Sequence, residues 1–129
     1  MRIVTRAELM AMPAGTLYHE WEPCYFKDLC IKGETTRFTK LDGTEGGDWW
    51  VHNVPTLDVR HSGEDCDVQF AMAEKGVSHP LNFEVEGREA LFDDKLRYAV
   101  WERADVEAFV ARLTAALQST AASQEGRKP

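Results

Sequence analysis

The sequence lacks any apolar run of the roughly 18 to 20 residues that a membrane-spanning helix needs, so we expect no membrane protein. The first residues also lack the continuous apolar stretch of a secretory signal, because charges occur at Arg2, Arg6 and Glu8. Export is therefore not expected. A single domain in the cytoplasm is the simplest interpretation of a chain of 129 residues.

Positive charge is scarce. The chain has 15 Lys and Arg against 22 Asp and Glu, a net charge of −7. Proteins that bind extended nucleic acid draw most of their affinity from Lys and Arg on phosphates, so this class is not expected. Residues 1–40 carry six bases and five acids, whereas residues 41–118 carry seven bases and sixteen acids. The acidic part indicates either a solvated surface or a face that docks on the basic surface of a partner protein.

Cysteine is also scarce, and the three thiols, Cys24, Cys30 and Cys66, include no CxxC pair. In a chain without an export signal, we expect them to be reduced. The four histidines are scattered and show none of the ligand spacings of zinc sites. We therefore predict no metal and no cofactor.

Signatures of common enzymes are absent: the sequence contains no Walker loop, GxGxxG, GxSxG or HExxH. The densest group of reactive side chains is the segment HSGEDC, residues 61–66. Nucleophilic catalysis needs a base within hydrogen-bond reach of the nucleophile, and this linear order does not establish that geometry. Ser62 is already explained as the N-cap of a helix. We therefore predict a protein that is not an enzyme.

Three segments show helical signals. Thr5 and Glu8 form a capping box, which predicts a short helix over 6–12. Acidic residues open a second helix over 62–75, and a lysine and a glycine close it. From 104 to 117, apolar side chains recur at i, i+3, i+4, i+7 and i+11, the pattern of an amphipathic helix that packs on a sheet.

Apolar and aromatic runs with alternating character predict the strands. The first two form a hairpin, with a bulge or an edge position at Lys27 and Asp28, where polar residues interrupt the pattern. Residues 33–48 are rich in Thr and Gly and predict another turn or a long, mobile loop, with a short strand near 37–41. The two strands of the hairpin are 16–21 and 24–32. The other predicted strands are 48–54, 81–85 and 95–101.

These elements predict one α+β domain over residues 1–118, with a mostly antiparallel sheet of about five strands and two or three helices. We expect the C-terminal amphipathic helix to pack on the sheet. Residues 119–129 have no large apolar side chain, which predicts a disordered tail.

Aromatic residues give the candidate binding surface. Trp49 and Trp50 are adjacent on a strand and point to opposite faces, so one is exposed unless a loop or a partner subunit covers the second face. An exposed tryptophan is typical of an interface, and His52 shares the face of Trp50. Other aromatics near the hairpin are candidates for stacking, and the bases Lys27, Lys32 and Arg37 are candidates for binding an anion. The candidate binding residues are Tyr18, Trp21, Tyr25, Lys27, Arg37, Trp49, Trp50 and His52.

Several runs resemble small proteins encoded by tailed bacteriophages and prophages. These runs are IVTRAE at 3–8, MPAGTLY at 12–18, IKGE at 31–34 and YAVWERADV at 98–106, and the resemblance extends in outline over most of 1–117. It implies a bacterial cytoplasm and an accessory role during infection, where such proteins often inhibit host defence or host enzymes by binding. It assigns no catalytic or binding residues.

Three functions stay open. The first is a non-enzymatic protein that inhibits a host protein, such as a defence component, through its acidic face and exposed aromatics. The second is a small-ligand binder that sequesters a nucleotide-like signal molecule in an aromatic pocket or at an oligomer interface. The third is a small hydrolase that uses residues 61–66. Assembly into a homo-oligomer is compatible with each.

Overall fold

In the computed structural model, which describes residues 1–125, six strands form one antiparallel sheet that is accompanied by three helices. The strands are β1 (Arg2–Thr5), β2 (Leu17–Glu22), β3 (Tyr25–Thr39), β4 (Glu45–Asn53), β5 (Gly87–Arg88) and β6 (Arg97–Val100). The helices are α1 (Arg6–Met10), α2 (Ser62–Lys75) and α3 (Arg103–Glu125). The order across the sheet is β1-β6-β2-β3-β4-β5, which confirms the predicted α+β domain with six strands instead of about five.

The β2–β3 hairpin lies where the sequence predicts it. Its turn contains Cys24, whose φ of 66° places the backbone in the left-handed region. The register shifts between His19 and Trp21, because β3 contains one residue more than β2 in this stretch. The extra residue falls at Lys27–Asp28, so the predicted bulge is confirmed.

The β3–β4 hairpin corrects the prediction of a long loop over residues 33–48. β3 continues to Thr39, and β4 begins at Glu45. Threonine favours this extended backbone, because β-branched side chains fit the pleated surface of a sheet. The loop is reduced to a tight turn that contains Gly43 with a φ of 85°.

The predicted strand at 81–85 is wrong. This segment forms a single bridge between Leu57 and Leu81, and the short strand β5 follows it. The side chain of Asn82 accepts a hydrogen bond from the backbone N–H of Glu84 at 2.9 Å, a local turn that competes with strand pairing. Conversely, β1 is a strand that the pattern does not predict, because it contains only two apolar residues.

The hydrophobic core lies between α1 and one face of the sheet, which we call the covered face. Leu9 and Met10 of α1 are buried against aromatic side chains of this face. The Trp49 indole N–H donates to the Tyr18 hydroxyl at 2.9 Å. The rings of Tyr18, Trp49 and Tyr98 meet edge to face, with centroids 5.6 to 6.2 Å apart. This aromatic cluster fixes the position of α1, and therefore of the side chains that α1 carries.

Helix α3 packs on the sheet through its first turns. The Phe109 ring contacts Trp101, just after β6, with centroids 5.3 Å apart. The carboxylate of Asp105 pairs with the N-terminal amino group at 2.5 Å. The helix continues to Glu125, into the segment predicted as a disordered tail, since residues 119–125 contain neither glycine nor proline to end it. The rest of that tail, 126–129, lies outside the described residues.

None of the helices within residues 1–125 combines the length and the apolar character that crossing a membrane requires.

Candidate functional site

Arg6 is a buried arginine at the first position of α1. The capping box of Thr5 and Glu8 sets the start of this helix and is present as predicted. The guanidinium Nη2 of Arg6 donates to the Gly47 carbonyl at 2.8 Å and to the Glu89 carboxylate at 2.7 Å. Only 3% of the residue is exposed. Arg6 is therefore held in place by contacts on two other segments of the chain.

Two aromatic rings flank this guanidinium. Its central carbon lies 5.0 Å from the ring centre of Trp49 and 5.7 Å from that of Phe92. A cation over the face of an aromatic ring is attracted by the ring quadrupole, and the attraction grows where water is excluded. The rings therefore help to keep the charged side chain inside the protein.

The charge of Arg6 is retained despite its burial. Desolvation opposes the charged form, but the hydrogen bond and the negative charge of Glu89 outweigh it and raise the pKa of the guanidinium. A second carboxylate, Asp94, lies 3.8 Å from Nη1 and is 82% exposed. This longer and solvated pair is much weaker than the buried one.

Three buried polar atoms around this pair have no hydrogen-bond partner among the described residues: Nε of Arg6, Oε1 of Glu89 and the hydroxyl of Tyr98. Burial raises the pKa of Tyr98, with a further contribution from the negative charge of Glu89, so the phenol stays protonated. Buried polar atoms are usually satisfied, and this cluster therefore retains hydrogen-bonding capacity beneath the surface.

Above Arg6 lies a cavity of about 300 Å³, which we call the Arg6 cleft. It is lined by α1, the end of β3, the start of β4 and the segment between β5 and β6: Arg6, Ala7, Met10, Arg37, Lys40, Glu45, Gly46, Gly47, Phe92 and Asp94. Arg37 and Lys40 are exposed, and within residues 1–121 neither forms an ion pair with a carboxylate. In an acidic protein, the cleft thus presents two cations that are free to bind an anion.

Gly47 allows α1 to approach the sheet closely. A Cβ at this position would lie 2.8 Å from both the Met10 sulfur and the Thr36 carbonyl oxygen. Such a distance is too short for a side chain, so only glycine permits the contact between Arg6 and the Gly47 carbonyl.

The segment between β5 and β6 closes the other side of the cleft in a strained conformation. Ala90 and Phe92 adopt φ values of 50° and 52°, a region that residues with a Cβ rarely occupy. The Phe92 ring packs edge to face against Phe38, with centroids 5.8 Å apart. Strain of this kind is concentrated at binding and catalytic sites, which agrees with a ligand site here.

The cleft is equipped for binding. It combines cations for an anionic group with the ring of Phe92 for a planar group, and its lining also contains the carboxylates of Glu45 and Asp94. Among the described residues, no group of three or more His, Cys, Asp or Glu is arranged to hold a metal ion.

The structure divides the eight sequence-predicted binding residues among several locations. Trp49 and Tyr18 lie in the core, so they are removed from any exposed recognition surface. Trp50 and His52 share the opposite face of the sheet, the open face, as the alternation predicts. There Trp50 is 36% exposed beside Arg88, and a His52 ring nitrogen lies 3.0 Å from the Glu86 carboxylate.

The candidate binding residues near the β2–β3 hairpin also lie in different environments. Tyr25 is exposed and Trp21 is half-buried near the β2–β3 turn. Lys27 pairs there with Glu20 at 3.1 Å and with a second glutamate at 3.3 Å, so its charge is neutralised. Arg37 alone among the eight lines the Arg6 cleft.

The main residue that sequence reasoning missed is Arg6. Its position inside the capping box suggested only a helix start. One signal in the sequence could have found it: the helix dipole disfavours a cation in the first turn, so an arginine at this position indicates a specific contact. Lys40, Gly47 and Phe92 were missed because the pairing that brings them together spans distant parts of the chain.

A larger cavity of about 620 Å³ lies beside the N-terminus of α2, and its lining includes Arg60, His61 and Ser62. His61, not the predicted Ser62, is the N-cap: its Nδ1 accepts a hydrogen bond from the backbone N–H of Glu64 at 3.2 Å. Cys66 is exposed and is not part of this lining. The cavity contains no buried charged side chain, which distinguishes it from the Arg6 cleft.

Comparisons with known proteins give no match, whether with protein-family models, with curated proteins or with solved structures.

Proposed function

We propose that the protein binds a small, anionic, nucleotide-like molecule in the Arg6 cleft and thereby sequesters it. The observation that carries this proposal is a charged, buried arginine, held between two aromatic rings at a cavity where Arg37 and Lys40 are unpaired. A buried cation at the wall of a cavity is costly to maintain, and ligand recognition explains its presence.

The chemistry of the lining favours a nucleotide over a simple anion. Phosphate oxygens match the donors of Arg37 and Lys40 at the mouth of the cleft. A planar base matches the ring of Phe92, which lines the cleft and packs against Phe38. The volume of about 300 Å³ is at the lower end of the range for small-molecule sites, which limits the ligand to about the size of one nucleotide.

The resemblance to bacteriophage proteins suggests the biological setting of this proposal. In a bacterial cytoplasm, a phage protein that removes a nucleotide signal from solution would silence the host response that depends on it. Such a protein needs affinity and abundance but no catalysis.

Thermal denaturation and isothermal titration calorimetry test the proposal with nucleoside monophosphates, cyclic nucleotides, uncharged nucleosides and inorganic phosphate. We expect at least one nucleotide to raise Tm, while its nucleoside and phosphate alone do not. The Arg37→Gln, Lys40→Gln double variant should weaken binding about 100-fold, because both side chains are exposed and contribute charge without contributing to folding. Arg60→Gln, in the larger cavity, is the matched control and should bind normally. Absence of any nucleotide effect on Tm would contradict the proposal.

A second candidate function is inhibition of a host protein by direct binding, and exposure of Trp50 favours it. Exposed carboxylates at Glu84 and Glu86 lie on the segment beside this part of the sheet, and a tryptophan with an acidic surround suits a basic partner surface. A stoichiometric complex with a bacterial protein should be lost in Trp50→Ala and kept in Phe70→Ala, which removes an exposed aromatic elsewhere. A complex that survives Trp50→Ala would contradict this function.

A further inference from the structure

Helix α3 has an apolar stripe that is only partly covered. Its first part contacts the sheet through Phe109, which packs on Trp101. The stripe then continues through Val110, Leu113 and Leu117, which are 55%, 52% and 72% exposed. A helix of 23 residues is about 35 Å long, so more than half of it extends beyond the turns that pack on the sheet.

We propose that this stripe pairs with the same stripe of a second copy of the chain. The contact would be isologous, with Leu113 and Leu117 of each α3 packed against those of the other. It is independent of ligand binding, because the Arg6 cleft lies on the covered face of the sheet and contains no residue of α3.

The scarcity of carboxylates along α3 favours a second copy of the chain as the partner. Two chains of net charge −7 repel each other, so they can associate only where few carboxylates meet. Between Glu107 and Glu125 the sequence contains no acidic residue at all, and Arg112 is its one charged side chain. In a protein with 22 acidic residues, residues 108–121 of α3 therefore present an apolar surface with a single charge, which can pack against its own copy.

The composition of this segment also suits helix pairing. Alanine, serine and threonine surround the two leucines, and small side chains allow two helices to approach closely while the leucines interdigitate. The contact area is small for a protein interface, so the dimer should be weak and should form only as the protein concentration rises.

Sedimentation velocity on the full chain, from about 5 to about 500 µM, tests the proposal. We expect the mean mass to double over this range. Added salt should promote association, because it screens the repulsion between two acidic chains. Leu113→Glu should keep the chain monomeric throughout, since it places two carboxylates in the contact. Ala115→Glu, on the opposite side of the same helix, adds the same charge and should dimerise like the natural chain.

Circular dichroism and Tm should be unchanged in both variants, because neither position is buried. A chain that remains monomeric at the highest concentration overturns the proposal. So does a dimer that Leu113→Glu leaves intact, which would place the contact elsewhere, for example on the open face of the sheet.

Discussion

Two cations are buried on the covered face of the sheet, and their surroundings differ. Arg6 is 3% exposed and pairs with the carboxylate of Glu89. Lys32 is 2% exposed, and among residues 1–121 its ammonium donates only to uncharged oxygens, the Gly33 carbonyl at 3.1 Å and the Thr35 hydroxyl at 2.7 Å. Burial opposes both charges. Glu89 overcomes this penalty and raises the pKa of Arg6, whereas burial lowers the pKa of Lys32.

This difference separates Arg6, which lines the proposed binding site, from Lys32, whose surroundings indicate a structural role. Arg6 borders a cavity, lies against aromatic rings and keeps its charge at every pH of interest. Lys32 borders no cavity described here, and it sits at a register shift between β3 and β4, where its ammonium ties together the irregular backbone. At Lys32, local hydrogen bonds alone offset the energetic cost of burying a charge. At Arg6, the carboxylate of Glu89 offsets this cost, and the buried cation also lines the proposed binding site.

The largest effect should come from Arg6→Gln. Removing one partner of a buried pair leaves Glu89 as an uncompensated charge, so we expect the free energy of unfolding to fall by about 3 kcal/mol and nucleotide binding to be lost. Lys32→Met is the comparison variant; it removes a charge without a carboxylate partner and should cost about 1 kcal/mol or less, with binding retained. Urea denaturation and calorimetry measure both. Equal losses in the two variants would abolish the distinction between the two cations.

A double-mutant cycle sharpens the same distinction. Arg6→Gln combined with Glu89→Gln should cost about 2 kcal/mol less than the sum of the single variants, because neither charge is then left alone in the interior. The exposed pair of Arg103 and Glu107 at 2.7 Å is the control, and its cycle should show a coupling of at most about 0.5 kcal/mol. Additive single effects at Arg6 and Glu89 would mean that the buried pair is not an energetic unit.

Asp94→Asn should act in the opposite direction. This exposed carboxylate lies 3.8 Å from the Arg6 guanidinium and competes with an anionic ligand for it. Its removal should strengthen nucleotide binding about threefold to tenfold, with little change in stability. Asp93→Asn, on the adjacent residue outside the cleft lining, should leave binding unchanged. Weaker binding in Asp94→Asn would show that the ligand does not approach Arg6 as an anion.

The parts of this structure that the sequence predicts are those with local causes. The capping box at Thr5, the bulge at Lys27–Asp28 and the opposite orientation of Trp49 and Trp50 each depend on residues close in the chain. The prediction of a strand over 81–85 was wrong because a local turn at Asn82 competes with strand pairing.

The Arg6 cleft depends on contacts between distant residues. Arg6 bonds to Gly47, 41 positions away, and to Glu89, 83 positions away. The pairing register of β3 and β4 and the left-handed backbone at Phe92 bring these groups together. Neither feature can be recognised in a single sequence. The same holds for Lys32, which the sequence makes a candidate for binding an anion. It is 2% exposed and bonds to Thr35, whose hydroxyl donates to the Met10 carbonyl of α1, so Lys32 is removed from any exposed surface.

The smallest effect is the pH dependence that Lys32 confers. Because its pKa is lowered in the folded state from the usual 10.5, the unfolded chain binds more protons in the pH range just below 10.5. The free energy of unfolding contributed by Lys32 therefore rises with pH in that range and falls as the ammonium is protonated. Relative to Lys32→Met, the natural chain should therefore become more stable as the pH rises towards 10.5. Burial raises the pKa values of Tyr18 and Tyr98 above the usual 10.0, so their contribution to stability is lost as the pH rises beyond about 10. Both chains carry these tyrosines, so this loss cancels in the difference. Urea denaturation at several pH values measures the difference in the free energy of unfolding between the two chains. If this difference does not change with pH, Lys32 is as solvated as an exposed lysine.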